Sequence, residues 1–174
     1  PSPKILKSIS KILKSGLLRK YPNPISDELR IEIAKQNKIK KENVLVVNGS
    51  DEGLAILFRA CLKKESTLIM PDPTYSLYSV LASLCFTNTR LVKIPLLSDF
   101  HLDFETLMQQ KGELLAFATP NAPTGIIESK DKLIQLISNF SNAVLCDEAY
   151  IDFAPKNSSL IPEIKNFKNL FISR

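Results

Sequence analysis

The sequence has no tryptophan, one histidine and three cysteines in 174 residues. The histidine, His101, has no clustered partner, which argues against a His-based metal site; no metal is expected. Cys61, Cys85 and Cys146 lie far apart, each in an apolar run, which excludes a CxxC knuckle and gives no disulfide framework. Buried free thiols in a reducing compartment are the expectation. No apolar run approaches the ~20 residues needed to span a bilayer, and no unbroken apolar segment near the start marks a signal peptide. A cytoplasmic protein with no membrane partner is therefore expected, its natural start lying upstream of Pro1. GxGxxG and GKS/GKT are also missing, which counts against a nucleotide-binding domain of either common kind.

What is present describes a folded α/β chain. Hydrophobic residues make up 44% and charged residues 24%, an ordinary balance for a globular protein of one domain or a large part of one. The net charge of +5 gathers partly near the start, at Lys4, Lys7, Lys11, Lys14, Arg19 and Lys20. Without an aromatic-rich RNA motif or finger spacing, this reads as the solvated face of an amphipathic helix, and no nucleic-acid partner is expected.

Continuous apolar runs at Val44–Val47, Thr67–Met70, Leu91–Ile94, Leu114–Ala118, Ala143–Cys146 and Leu170–Ile172 read as six buried strands. Between them lie helical periodicities. Glu52–Lys64 carries Leu54, Leu57, Phe58, Cys61 and Leu62 on one face; Tyr75–Leu84 carries Tyr78, Leu81 and Ala82; Lys130–Phe140 carries Leu133, Leu136, Ile137 and Phe140. A short helix, Phe104–Gln110, follows a capping Asp103. Upstream, Ser26 or Asp27 caps a helix through Lys38 whose Leu29, Ile33 and Ala34 face inward. This alternation predicts a mostly parallel sheet covered on both sides, with ligands beyond the carboxyl ends of the strands.

Four segments sit at those ends. Gly49-Ser50-Asp51-Glu52-Gly53 turns into a helix whose N-terminal N–H groups suit a phosphate. Pro73-Thr74-Tyr75 offers a ring that can stack on a flat ligand, whereas Tyr78 keeps step with the apolar face and reads as packing. Thr119-Pro120-Asn121-Ala122-Pro123-Thr124-Gly125 is a tight loop, suited to a cis X–Pro bond, holding Asn121 at a set angle. Asp147, ending a buried strand, needs a partner, and a cationic ring nitrogen or a structural ion pair would each serve. Each segment alone is weak; the ordered set is specific.

The order GSDEG, PTYSLY, PNAPTG and DEAYIDF resembles the fold-type I pyridoxal-phosphate aminotransferases, over essentially the whole chain. GSDEG with Tyr21-Pro22 upstream is most similar to the histidinol-phosphate aminotransferase subgroup. The resemblance implies an incomplete three-layer αβα large domain over residues 26–174, entered by an N-terminal segment 1–25, with the small C-terminal domain absent. It implies pyridoxal 5'-phosphate as cofactor and a homodimer acting on small amino-acid and keto-acid substrates. Ser50, Asp51 and Glu52 match the phosphate segment, Tyr75 the stacking ring, and Asp147 the partner of the pyridine nitrogen, which lets the ring accept electrons. Tyr150 matches the phenol on the ring oxygen, and Tyr21 a tyrosine reaching the partner subunit's site. The family's asparagine before Pro-Thr-Gly is Ala122 here, with Asn121 its neighbour.

The implied reaction is amino transfer between histidinol phosphate or imidazole-acetol phosphate and glutamate or 2-oxoglutarate, in histidine biosynthesis. Another class I/II aminotransferase, a threonine-phosphate decarboxylase, or a truncated non-catalytic chain are the alternatives. The family's Schiff-base lysine falls just beyond Arg174, so no catalytic residue is assigned within this chain. Residues 1–174 alone are expected to be inactive and poorly soluble.

Overall fold

Three of the expected strand runs have both faces buried, which requires helices on both sides of a sheet. The computed structural model, which describes residues 2–85 and 88–174, has that arrangement in the larger of two compact units, Val47–Arg174. Its strands are β1 (Thr67–Asp72), β2 (Arg90–Pro95), β3 (Leu114–Ala118), β4 (Ala143–Asp147) and β5 (Leu170–Ser173). All neighbours are parallel, in the order β2-β1-β3-β4-β5.

The period-2 alternation of strand side chains divides the core into two layers. Ile69, Leu115, Phe117, Val144 and Cys146 face one side, against α6 (Lys130–Asn139) and α5 (Phe104–Met108). Leu68, Met70, Leu114, Ala116 and Leu145 face the other, against α3 (Ser50–Cys61) and α4 (Leu77–Cys85). The helical faces largely follow the periodicity: Leu54, Phe58 and Leu62; Tyr78, Leu81 and Ala82; Leu133, Leu136, Ile137 and Phe140 are all buried, while Leu57 and Cys61, expected on the first of these faces, are only partly buried. Asp103 caps α5, accepting from Thr106 N at 3.0 Å. The result is the three-layer α/β architecture with a parallel sheet that the sequence leads one to expect.

The smaller unit, residues 1–46, holds α1 (Pro3–Lys14) and α2 (Asp27–Asn37). In α1 the lysines and the apolar residues Ile5, Leu6, Ile9, Ile12 and Leu13 are all exposed. Two expectations fail here. Val44–Val47 is not a strand: Arg30 Nε donates to the Val44 carbonyl at 2.8 Å, and Leu45 stands 67% exposed. An apolar run becomes a strand only when a neighbouring ladder takes its backbone groups, and here a side chain takes one of them. In α2 the inward face is Arg30, Ile33 and Ala34, while Leu29 is half exposed. Arg30 displaces Leu29 because its guanidinium satisfies the carbonyls of Val44 and Lys41. The thiols also differ in part: Cys146 is buried, but Cys61 and Cys85 are half-buried.

No helix among the described residues is long and apolar enough to cross a membrane.

Candidate functional site

The strand order reverses direction between β1 and β3, and a crevice forms where connections leave such a pair toward opposite faces. The β1–β3 ladder covers only Leu68↔Leu114 and Ile69↔Leu115. Beyond it, the chains after Asp72 and Ala118 are joined by Asn121. Its carboxamide nitrogen donates to Pro73 O at 3.1 Å and Thr124 Oγ1 at 3.2 Å, and its oxygen accepts from Thr74 Oγ1 at 2.9 Å. Both N–H donors of Asn121 are therefore used in holding the two loops together. The peptide bonds Asp72-Pro73, Thr119-Pro120 and Ala122-Pro123 are cis, and all three lie in these loops.

The start of α3 is open. Gly49, its N-cap, has φ +88°, a conformation that favours glycine, and among the described residues no side chain caps the first turn. The free N–H groups of Ser50, Asp51 and Glu52 carry the positive end of the helix. The two carboxylates there are already engaged: Glu52 accepts from Asn48 N, and Asp51 Oδ1 accepts from the Tyr75 phenol at 3.2 Å. Anion binding at this turn would thus fall to the backbone.

Tyr75 stands edge-on to Tyr78, centroids 5.7 Å apart and planes at 90°. Loss of solvent and then the Asp51 carboxylate push the Tyr75 phenol above its ordinary range, with smaller contributions from Asp147 and Tyr150. Tyr78 is fully buried, and burial followed by the Asp147 charge raises its phenol well above the ordinary range. Both phenols hold their protons at neutral pH and act as donors.

Asp147 is 4% exposed at the end of β4. Tyr78 donates to its Oδ2 at 2.9 Å, while Ser173 Oγ (2.8 Å) and Ala149 N (3.1 Å) donate to its Oδ1. Among the described residues no lysine or arginine forms an ion pair with it. A carboxylate so desolvated and oriented, yet without a cation, suits a cationic ligand atom. Beside it, Thr119 donates its N–H to the Asp147 carbonyl at 2.9 Å, and its buried Oγ1 has no partner among the described residues.

The structure therefore joins Asp51, Tyr75, Tyr78 and Asp147 in one continuous chain of contacts. Tyr150 follows Asp147 by one turn, 55% exposed, tilted against Phe153 with centroids 6.4 Å apart. Tyr21 belongs to the smaller unit and is fully exposed. Sequence spacing correctly placed Tyr78 in the core but missed its phenol's partner; a buried tyrosine normally needs one, which was the available signal. Ser173 and Thr119 carried no signal in the sequence beyond standing at strand ends.

Glu148, the next residue, is fully buried and faces elsewhere. It accepts from Leu160 N at 2.6 Å, Ser159 Oγ at 2.8 Å and Arg174 Nε at 3.2 Å. Burial first, then Glu148 and Asp147, push the Cys146 thiol far up, so it stays protonated and unreactive.

The sequence profile of the family described as "Aminotransferase class I and II" matches residues 1–174. The histidinol-phosphate aminotransferase of Clostridium botulinum (strain Kyoto / Type A2) is 39% identical over 173 residues, covering 99% of this chain and 47% of its own length. The chain thus spans about half the length of the curated relatives it matches. Among solved structures, the histidinol-phosphate aminotransferase of Sinorhizobium meliloti in complex with pyridoxal-5'-phosphate superposes with a TM-score of 0.86 at 20% identity, over 99% of this chain and 47% of that one. The L-threonine-O-3-phosphate decarboxylase of Porphyromonas gingivalis does so with a TM-score of 0.80 at 21% identity, over 98% and 52%. These two similarities speak to the fold.

Proposed function

The chain belongs to the family of class I and II aminotransferases, and on that premise we propose that it forms the cofactor cup of a pyridoxal-phosphate-dependent aminotransferase. The substrates proposed for the whole protein are histidinol phosphate or imidazole-acetol phosphate and glutamate or 2-oxoglutarate. The carrying observation is Asp147: a desolvated carboxylate with three donors and, among the described residues, no cation, at the carboxyl edge of the sheet.

The residues suit the cofactor. The uncapped N–H groups at Ser50, Asp51 and Glu52 would hold its phosphate. Tyr75 would lie against the ring, braced by Asp51 and Tyr78. Asp147 would hold a proton on the ring nitrogen, and the exposed Tyr150 phenol would donate to the ring oxygen. When bound, the cofactor supplies an electron-accepting ring that stabilises negative charge at the substrate carbon. Asn121, with its donors committed, braces the switch-point loops and could reach the ring oxygen only by giving up a bond to Pro73 or Thr124. Tyr21, fully exposed in the smaller unit, is proposed to reach a second subunit's site in a homodimer, and a cytoplasmic location is proposed from the family resemblance.

Titration of the protein with pyridoxal phosphate, followed by visible absorption, tests the cup. The expected result is saturable uptake, weakened at least ~10-fold by Asp147→Ala, since a buried charge-assisted contact is lost. Uptake unaffected by that substitution would remove the central argument. Histidinol phosphate and 2-oxoglutarate supplied to the holoenzyme should yield glutamate. Carbon dioxide released from threonine phosphate instead would favour the decarboxylase reading, with which the fold is also compatible.

A further inference from the structure

We infer that Tyr78 is the positioning residue of the cofactor cup, setting from one side chain both the carboxylate proposed for the ring nitrogen and the ring proposed to stack. This rests on the functional reading of Asp147 and Tyr75 above.

Three observations carry it. The phenol of Tyr78 is the sole side-chain donor to Asp147 Oδ2 among the described residues, at 2.9 Å, while Ser173 and Ala149 share Oδ1. The ring of Tyr78 meets Tyr75 edge to face at 5.7 Å, so Tyr75 cannot swing inward without displacing it. Tyr78 is itself immobilised, fully buried among Phe58, Leu81 and the strand residues of the α3–α4 layer, with Phe58 6.2 Å away. A side chain locked by packing is a rigid support for two others that are partly open to ligand.

The hydrogen bond also has an electrostatic consequence. A donor on Oδ2 favours the anionic carboxylate, and an anionic carboxylate favours the proton on a facing ring nitrogen. With that donor deleted, the ring nitrogen of a bound cofactor would hold its proton less firmly and the ring would accept electrons less well. Packing alone would have no such effect.

The test uses the full-length protein loaded with pyridoxal phosphate labelled with 15N in its ring. Tyr78→Phe keeps the aromatic contact and removes the donor; Tyr78→Leu removes both. For Tyr78→Phe the 15N signal should move toward that of the unprotonated ring. Its kcat should fall roughly 10-fold with KM for the amino donor nearly unchanged, the size expected for one hydrogen bond to a charged group. Tyr78→Leu should additionally weaken cofactor uptake. Ser173→Ala, which removes a donor from the other oxygen without touching either ring, should move the 15N signal in the same direction. An unmoved signal in Tyr78→Phe overturns the inference alone, and should that variant not fold, an unmoved signal in Tyr78→Leu, which also lacks the donor, does the same. A wild-type protein that takes up no pyridoxal phosphate overturns the functional reading, and the inference with it.

Discussion

Replacing Glu148 should destabilise the protein in a graded way that separates a buried acceptor from an ion pair. Glu148 is fully buried, and its three donors differ in what they lose when it goes. Leu160 is fully buried, so its N–H has no access to water; orphaning it costs about 2 kcal/mol. Ser159 can rotate its hydroxyl, and Arg174, whose side chain is 40% exposed, can turn to solvent. The space left by the side chain's methylenes adds about 1–2 kcal/mol. Glu148→Ala should therefore cost about 3–4 kcal/mol, in the range known for breaking a buried pair from one side. Glu148→Gln keeps an oxygen for Leu160 N but turns an NH2 toward the guanidinium, which cannot accept; about 1–2 kcal/mol is expected. Arg174→Ala should cost less, about 1–2 kcal/mol, because the guanidinium end of the pair is 40% exposed and water can take its place beside the buried carboxylate. Urea denaturation followed by circular dichroism, with the slope checked for constancy, reads all three. If Arg174→Ala proves as damaging as Glu148→Ala, the ion pair and not the Leu160 amide carries the energy, and the reasoning is refuted.

Other substitutions probe separate features. Asp103→Ala removes the cap of α5 and should cost about 1 kcal/mol. Hydrogen bonds from the Thr106 hydroxyl and amide hold the Asp103 carboxyl below its ordinary value, so this stabilisation is present above about pH 4 and disappears as pH falls through the lower folded value. Stability of the variant and the parent should thus converge in acid, and a difference that persists at low pH would show another origin. Gly112→Ala would place a Cβ 2.8 Å from the Thr67 carbonyl and 3.0 Å from Ile69 Cδ1, so a loss of about 1–3 kcal/mol is expected from overpacking. Gly49→Ala meets no atom within 4 Å, yet its φ of +88° predicts about 1–2 kcal/mol of backbone strain and weaker phosphate binding. Measured melting temperatures check both, and an unchanged value for Gly112→Ala would mean that the β1 edge yields.

The parts of this fold legible in the sequence are those encoded within a few residues. Leu114–Ala118 reads as a central strand because five successive apolar residues need cover on both faces, and all five are buried. Val44–Val47 has the same local composition and is no strand, because pairing depends on a neighbour that composition does not encode, and Arg30, fourteen residues upstream, bonds to it instead. The site divides along the same line. The glycine turn before α3 and the carboxylate ending β4 are local signals; both were expected at strand ends, and Asp147 does end β4, whereas no strand precedes the glycine turn. What orients them is not local: the Tyr78–Asp147 bond spans 69 residues, and Asn121 reaches back 48 to Pro73. Tyr78 satisfied the helical periodicity completely, so a binary apolar pattern had no reason to look further. Its hydroxyl is the group that pattern cannot represent. In a parallel sheet, strands remote in sequence end side by side, so the groups that tune a strand-end carboxylate come from other crossovers. Here they come from α4 and from the end of β5. The determinants of the cup's electrostatics thus follow from topology, and a reading that fixes strand order first can look for them at the neighbouring strand ends.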